Sequence, residues 1–162
     1  MDQKFLLDLI ITALGRIRTP RFFESERGFQ GALLAELKPL IPVEAQGDEA
    51  IIEQEYQKRL DSHGVRLRPD IIIHEPFDDS KHSSRRDGNY LVIELKLRAN
   101  AKAAAGDFES LAEMIDVLEY RSAVFINIAS AEKFSDLIPE RFKDRITAIS
   151  VLLDNGNVQI VA

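Results

Sequence analysis

Two stretches of sequence decide the fold, Arg68-Pro69-Asp70-Ile71-Ile72-Ile73 and Tyr90-Leu91-Val92-Ile93-Glu94-Leu95-Lys96-Leu97. Each is typical of a β-strand, because β-branched and aliphatic residues dominate both. Successive side chains of a strand point to opposite faces, so the odd-numbered residues from Leu91 to Leu97 are predicted to be buried on one face. Glu94 and Lys96 then project together from the other face, which we predict to be open.

The polar segment from Glu75 to Asn89 allows the two strands to pair antiparallel as a hairpin with a long loop. If Asp70 pairs opposite or diagonal to Glu94, two carboxylates and the Lys96 ammonium meet at one point. A divalent cation relieves the repulsion between two such carboxylates. Asp70 and Glu94 offer hard oxygen ligands, and the backbone carbonyl of Leu95 can add another. This donor set suits Mg²⁺, with Mn²⁺ as a substitute.

These groups predict a metal-dependent phosphodiesterase. A cation held by Asp70 and Glu94 lowers the pKa of a bound water and polarises a phosphoryl oxygen. Lys96 is placed to orient or deprotonate the attacking water and to offset charge on the phosphate. No other part of the sequence brings reactive groups together so compactly.

The motif Pro69-Asp70 followed by Glu94-Leu95-Lys96 resembles the PD-(D/E)xK signature of the restriction-endonuclease-like nucleases, a superfamily of restriction enzymes, junction resolvases and repair nucleases. The resemblance implies an α/β fold whose central mixed sheet is flanked by helices in the order α-β-β-β-α-β, and the chain can be parsed in that order from Phe22 to Ala129. It also implies hydrolysis of DNA, or less favoured RNA, by Asp70, Glu94 and Lys96.

An acidic residue on the first helix lies near the metal in the resembling family. The resemblance therefore implies this role for Glu26, with Gln30 one turn later as the second candidate. Glu26 falls on the otherwise apolar face of a helix predicted from Ser25 to Leu37. An equally strong alternative is that Glu26 only interacts with the helix dipole, which favours a carboxylate in the first turn.

The formal net charge of the 162-residue chain is −6, which by itself argues against a nucleic-acid partner. Residues 58–102, however, contain ten Lys or Arg and seven Asp or Glu, whereas the rest contains eleven and twenty. A basic region around the site is expected where a protein meets a polyanion, although ordinary scatter of surface charge explains it equally well. The cations predicted to contact nucleic acid are Arg68, Lys81, Arg85, Arg86 and Arg98.

The length and apolar share of the chain predict one domain covering residues 1–162. There is no cysteine, so disulfides and thiolate metal sites are excluded, which is compatible with the reducing cytoplasm. The apolar stretch from Phe5 to Leu14 is too short to span a membrane and contains Asp8. We therefore predict a packed helix and no membrane association.

Outside the two strands, the pattern predicts an additional N-terminal helix and a C-terminal β-hairpin. We predict that the hairpin either extends the sheet or forms a contact between two copies of the chain, so the sequence allows a homodimer as one of two alternatives. We also predict a strand before the strand of Asp70, and a helix and a further strand after the strand of Glu94. This last strand should run parallel to the strand of Glu94, because a strand-helix-strand connection of this length forms a right-handed crossover. The predicted helices cover 2–17, 25–37, 107–119 with Asp107 as N-cap, and 130–137; the predicted strands cover 51–58, 65–75, 90–98, 122–129, 146–153 and 158–161.

Two other hypotheses remain open. In the first, the same fold is a catalytically inactive module that binds nucleic acid or protein, with the acids paired to Lys96 and Arg68; the overall acidity favours it. In the second, the chain is an ordinary α/β domain in which Glu94 and Lys96 form an exposed strand pair of little energetic value. The second hypothesis predicts that Asp70 lies far from Glu94.

Overall fold

The computed structural model describes residues 1–41, 50–54 and 68–162. These residues form an α/β fold with one open, mixed sheet of six strands in the order β1-β2-β3-β4-β5-β6. The strands are β1 (Ile51–Gln54), β2 (Ile71–His74), β3 (Asn89–Leu97), β4 (Ser122–Ile128), β5 (Ile146–Asp154) and β6 (Asn157–Val161). Three α-helices accompany them, α1 (Gln3–Arg16), α2 (Glu26–Leu37) and α3 (Ala101–Leu118).

The sheet is antiparallel at both ends and parallel in the middle. Strands β1, β2 and β3 pair antiparallel, whereas β3, β4 and β5 pair parallel. The predicted parallel pairing of β4 with β3 across a helix is therefore confirmed. The C-terminal hairpin extends the sheet, since β6 pairs antiparallel with β5. Its turn places Asn155 at φ 48° and Gly156 at φ 80°, the left-handed pair that a two-residue hairpin requires.

Helices cover both faces of the sheet. Helices α1 and α2 pack on the face that carries Leu91, Ile93 and Leu95, as the alternation predicts. Helix α3 packs on the opposite face, where Val92 is fully buried in the same cluster as Phe108. The prediction that Glu94 and Lys96 project from an open face is therefore wrong, because α3 covers the face that they share with Val92.

Helix α3 begins earlier than predicted. Its N-cap is Asn100, whose Oδ1 accepts a hydrogen bond of 2.9 Å from the Ala103 N–H. The prediction that Asp107 is the N-cap is wrong, because the alanine-rich segment from Ala101 to Gly106 has high helix propensity and already forms the first turns. Asp107 consequently lies inside the helix.

Some predicted elements are shorter than expected or lie outside the described residues. The strand over 51–58 is confirmed for 51–54, and 55–67 are not described. Asp70 directly precedes β2. Two 3₁₀ helices, Ser135–Leu137 and Glu140–Phe142, replace the helix predicted over 130–137, where Phe134 adopts a left-handed φ of 56°. None of the helices among the described residues is long and apolar enough to cross a membrane.

Candidate active site

The register of β2 and β3 brings Asp70 to Glu94. Ile71 pairs with Ile93. Because the two strands run antiparallel, Asp70, one residue before Ile71, faces Glu94, one residue after Ile93. The Leu95 N–H donates a hydrogen bond of 2.7 Å to Asp70 Oδ2, so the contact continues beyond the end of β2. The hypothesis of an ordinary domain is wrong in its expectation that Asp70 lies far from Glu94.

The Glu94 carboxyl group is enclosed at this point. Its Oε2 is buried and has no hydrogen-bond partner. Burial, together with the negative charges of Asp70 and Asp107, raises the pKa of Glu94 to about 8. At neutral pH the carboxyl group therefore holds a proton unless a cation joins it.

The Lys96 ammonium lies between two carboxylates from different helices. Its Nζ is 3.8 Å from Asp107 Oδ2 and 4.0 Å from Glu26 Oε2. Glu26 is the first residue of α2, and Asp107 lies in the first two turns of α3. The two acids therefore belong to helices that pack on opposite faces of the sheet.

Four carboxylates thus interact with one ammonium group, Glu26 and Asp107 as ion pairs within 4.0 Å and Asp70 and Glu94 through longer-range electrostatics. Burial raises the pKa of Asp70, the Leu95 N–H opposes this, and the charge of Glu26 adds to it. Burial also raises the pKa of Asp107, while the Lys96 ammonium opposes the shift. The cluster has more negative than positive groups in a partly desolvated place, which is the condition that a bound divalent cation would relieve.

The chemistry of the donors fits Mg²⁺ or Mn²⁺. The carboxylates are hard oxygen ligands, and Glu94 Oε2 and Asp107 Oδ2 are buried without hydrogen-bond partners. Across the described ranges, no group of three or more His, Cys, Asp or Glu side chains is arranged to hold a metal ion. Mg²⁺ is commonly bound by one or two protein carboxylates, with waters and substrate phosphates as its other ligands. Asp70 and Glu94, with the Leu95 carbonyl, are the residues that would hold it.

Gln30 contacts the site from helix α2. Its side chain is buried on α2, and its Nε2 donates a hydrogen bond of 2.6 Å to the backbone carbonyl of Asp70. The second candidate from the first helix therefore supports the backbone of Asp70, while the first candidate, Glu26, faces Lys96.

Three of the predicted nucleic-acid contacts lie at the other end of the hairpin. Lys81, Arg85 and Arg86 belong to the loop between β2 and β3, whereas Glu94 lies five residues along β3, roughly 17 Å from the loop. Arg86 pairs with Glu119 at 2.9 Å, and the Arg85 guanidinium lies 5.2 Å from the centre of the Phe77 ring. The structure does not bring these three cations to the acids.

The other two predicted cations lie closer. Arg68 is exposed and precedes Asp70 by two residues. Arg98 follows Lys96 by two residues, has a left-handed φ of 50°, and borders a cleft of about 240 Å³. The other residues lining this cleft are Pro20, Phe23, Glu24, Ala129, Leu152 and Leu153.

Asp107 is the site residue that sequence analysis missed. A helix that starts after Asn100 places Asp107 on the same side as the buried Ala104 and Leu111. A single acid on a buried helix stripe is the same signal that identified Glu26. The predicted N-cap lies seven residues after the observed one, so Asp107 is not expected on the buried stripe of the helix.

No protein-family model matches the sequence, and no curated protein matches it significantly. The interpretation of the site therefore rests on the geometry and chemistry of its own residues.

Proposed function

We propose that the protein is a Mg²⁺-dependent nuclease that hydrolyses phosphodiester bonds in DNA, with RNA as the second substrate class to test. The observation that supports the proposal most is the register that sets Asp70 against Glu94, with Lys96 two residues further on the same face. A second support is that the elements of the described residues follow one another as α2-β1-β2-β3-α3-β4, which is compatible with the α-β-β-β-α-β order that the PD-(D/E)xK resemblance implies.

Asp70 and Glu94 would hold the metal ion, with the Leu95 carbonyl as a further ligand. Bound Mg²⁺ would supply an activated water and a polarised phosphoryl oxygen. The protein's own contacts prepare these ligands. The Leu95 N–H orients the Asp70 carboxylate, and the Gln30 side chain holds the Asp70 backbone, so the acid is positioned before any substrate arrives.

Lys96 would act on the water and the phosphate. Its ammonium carries the positive charge within the acid cluster, and it can orient the attacking water and offset negative charge that develops on the phosphate oxygens. Glu26 lies at the exposed side of this ammonium. It would complete the acidic shell at the start of α2, where the helix dipole also favours a carboxylate.

A purely binding role does not account for the acids. Phosphate binding is dominated by cationic side chains, and four carboxylates beside a phosphate path would weaken it. One observation does favour a catalytically inactive binding module as the second candidate. Lys81, Arg85 and Arg86 all belong to the loop at the far end of the hairpin, so a nucleic acid or acidic protein could contact them without reaching Asp70.

The experiment that separates the two functions is a cleavage assay with labelled single-stranded and double-stranded DNA and RNA, in Mg²⁺, in Mn²⁺ and in EDTA. We expect metal-dependent cleavage, reduced by roughly a hundredfold or more in Lys96→Met. Lys4→Met, at an exposed position on α1, is the matched control and should cleave normally. Absence of cleavage of every substrate, with binding that survives Asp70→Asn, would favour the binding module.

A further inference from the structure

We infer that Asp107 is a positioning residue for Lys96, and that it fixes the ammonium within the acid cluster from helix α3. The inference rests on the proposed function, because it concerns the residue that would act on the water and the phosphate. It adds to the site an acid that the Asp70, Glu94 and Lys96 motif does not contain.

The geometry identifies Asp107 as the firmer of the two partners of Lys96. Asp107 Oδ2 lies 3.8 Å from Nζ and Glu26 Oε2 lies 4.0 Å from it. The Asp107 side chain, however, is 16 % exposed, whereas that of Glu26 is 46 % exposed. Solvent and salt screen an enclosed ion pair less than an exposed one, so the pairing with Asp107 is the stronger constraint.

The helix face around Asp107 does not favour an unpaired carboxylate. Its helix face is apolar, with Ala104 and Leu111 fully buried, and enclosing a charge in such a place is unfavourable unless the charge is paired. The other titratable groups that face it, Glu26, Glu94 and Asp70, are acidic and repel it. Among the described residues, Lys96 is the cation that lies within ion-pair distance of Asp107.

Positioning matters for a lysine in particular. The ammonium sits at the end of a flexible four-carbon chain, and Lys96 is 34 % exposed, so β3 alone does not fix the location of Nζ. The carboxylates of Glu26 on α2 and Asp107 on α3, both within 4.0 Å of Nζ, restrict it. A reacting group held in one place reacts faster than one that must find its place, so loss of Asp107 should lower the rate of the chemical step.

The pairing can be tested without any assumption about activity. We compare thermal unfolding in EDTA of Asp107→Asn, Lys96→Met, the double variant and the wild type, with Glu109→Gln on the exposed side of α3 as the control. Asp107→Asn relieves repulsion among the acids in both backgrounds, but it loses the attraction to Lys96 only where Lys96 is present. We therefore expect Asp107→Asn to shift Tm upward in Lys96→Met relative to its effect in the wild type. An equal change in both backgrounds overturns the inference.

The catalytic consequence is tested by cleavage kinetics. Asp107→Asn should lower kcat by roughly tenfold to a hundredfold, with KM and the half-saturating Mg²⁺ concentration unchanged, and Glu109→Gln should change none of them. A rate restored to the wild-type value by high Mg²⁺ would make Asp107 a metal ligand and overturn the inference. A wild-type protein that cleaves nothing refutes the proposed function, whereas the unfolding comparison still decides the pairing.

Discussion

The backbone N–H of Leu95 donates a hydrogen bond of 2.7 Å to the side chain of Asp70. Asp70 thereby replaces a backbone carbonyl as the last acceptor of the β2–β3 ladder. Leu95 is 1 % exposed, so water cannot readily take the place of Asp70. One carboxylate therefore both closes the ladder and faces Glu94, which means that the hairpin and the proposed site are held together by the same group.

Asp70→Ala should be less stable than Asp70→Asn. Both substitutions remove the charge and relieve the repulsion on Glu94, but only alanine leaves the buried Leu95 N–H without an acceptor. An unsatisfied buried donor costs about 1–3 kcal/mol. Urea denaturation of the two variants measures the difference directly. Equal stabilities would show that the Leu95 N–H does not depend on the Asp70 side chain.

Stability of the metal-free protein should fall as the pH rises. The pKa of Glu94 is about 8 in the folded protein and close to the ordinary value of 4.5 in the unfolded chain. The folded state therefore binds the Glu94 proton more tightly than the unfolded chain does. The resulting contribution to the free energy of unfolding is fully present below the unfolded-state pKa and is lost as the pH rises through about 8. Burial raises the pKa of Asp70 and Asp107 in the same direction. Denaturation in EDTA between about pH 5 and about pH 9 should show a decline of a few kcal/mol.

Glu94→Gln is the control for this pH dependence. The amide keeps the shape of the side chain and cannot ionise, so the decline should become shallower while every other titrating group remains. Asp87 does not contribute in this range, because hydrogen bonds from the hydroxyl and backbone N–H groups of Ser83 and Ser84 hold its pKa at about 2. A slope identical to that of the wild type would show that Glu94 does not carry the dependence.

Gly88→Ala should destabilise the hairpin loop. A Cβ at this position would lie 2.4 Å from the Glu75 carbonyl oxygen, while the Gly88 carbonyl accepts a hydrogen bond of 2.9 Å from the Glu75 N–H. The backbone cannot retreat without breaking this bond, so we expect a loss of roughly 1–3 kcal/mol.

Gly106→Ala is the matched substitution. Gly106 lies inside α3 with nothing within 4 Å of an added Cβ, and alanine is favoured over glycine in a helix by about 1 kcal/mol. Urea denaturation should therefore show a gain for Gly106→Ala and a loss for Gly88→Ala. A neutral Gly88→Ala would contradict the close approach of the two loop ends.

Asn127→Ala should destabilise the segments that follow β3 and β4. Asn127 is fully buried; its Oδ1 accepts from the Ala99 N–H at 2.8 Å, and its Nδ2 donates to the Glu132 carbonyl at 2.7 Å. Asn127→Ala leaves both backbone groups without this partner, and we expect a loss of roughly 2–4 kcal/mol in urea denaturation. Asn157→Ala, at an exposed position of β6, is the control and should change stability by less than about 0.5 kcal/mol.

Local patterns were enough to predict much of the sheet. The alternation around Glu94 identifies β3, the apolar run from Ser122 to Ala129 identifies β4, and Asn155-Gly156 identifies the C-terminal turn. These signals act over a few residues, because side-chain alternation and left-handed turn residues are local properties of the backbone. Alternation allows Asp70 and Glu94 to share a face once the two strands pair, but it does not fix the register, which the structure supplies.

The remaining features depend on residues far apart in sequence. Whether the face of Glu94 is open depends on where α3 lies, and the start of α3 depended on choosing Asn100 over Asp107 as the cap. Both residues suit that position, so the cap signal alone did not decide. The ion pairs of Lys96 join β3 to α2 and α3, and no local pattern reports such a contact. The sequence does not predict the hydrogen bonds of Asn127, because a single amide within an apolar strand gives no sign of its partners.

The most direct test of the account is calorimetric titration of Mn²⁺ at a pH above 8, where Glu94 is ionised. The account predicts that the wild type binds Mn²⁺, that Glu94→Gln and Asp70→Asn lose this binding while remaining folded, and that Asp136→Asn, at an exposed position, retains it. A wild-type protein that binds no Mn²⁺, or one whose binding is unchanged in Glu94→Gln and Asp70→Asn, would contradict the assignment of these two acids as the metal ligands of a nuclease.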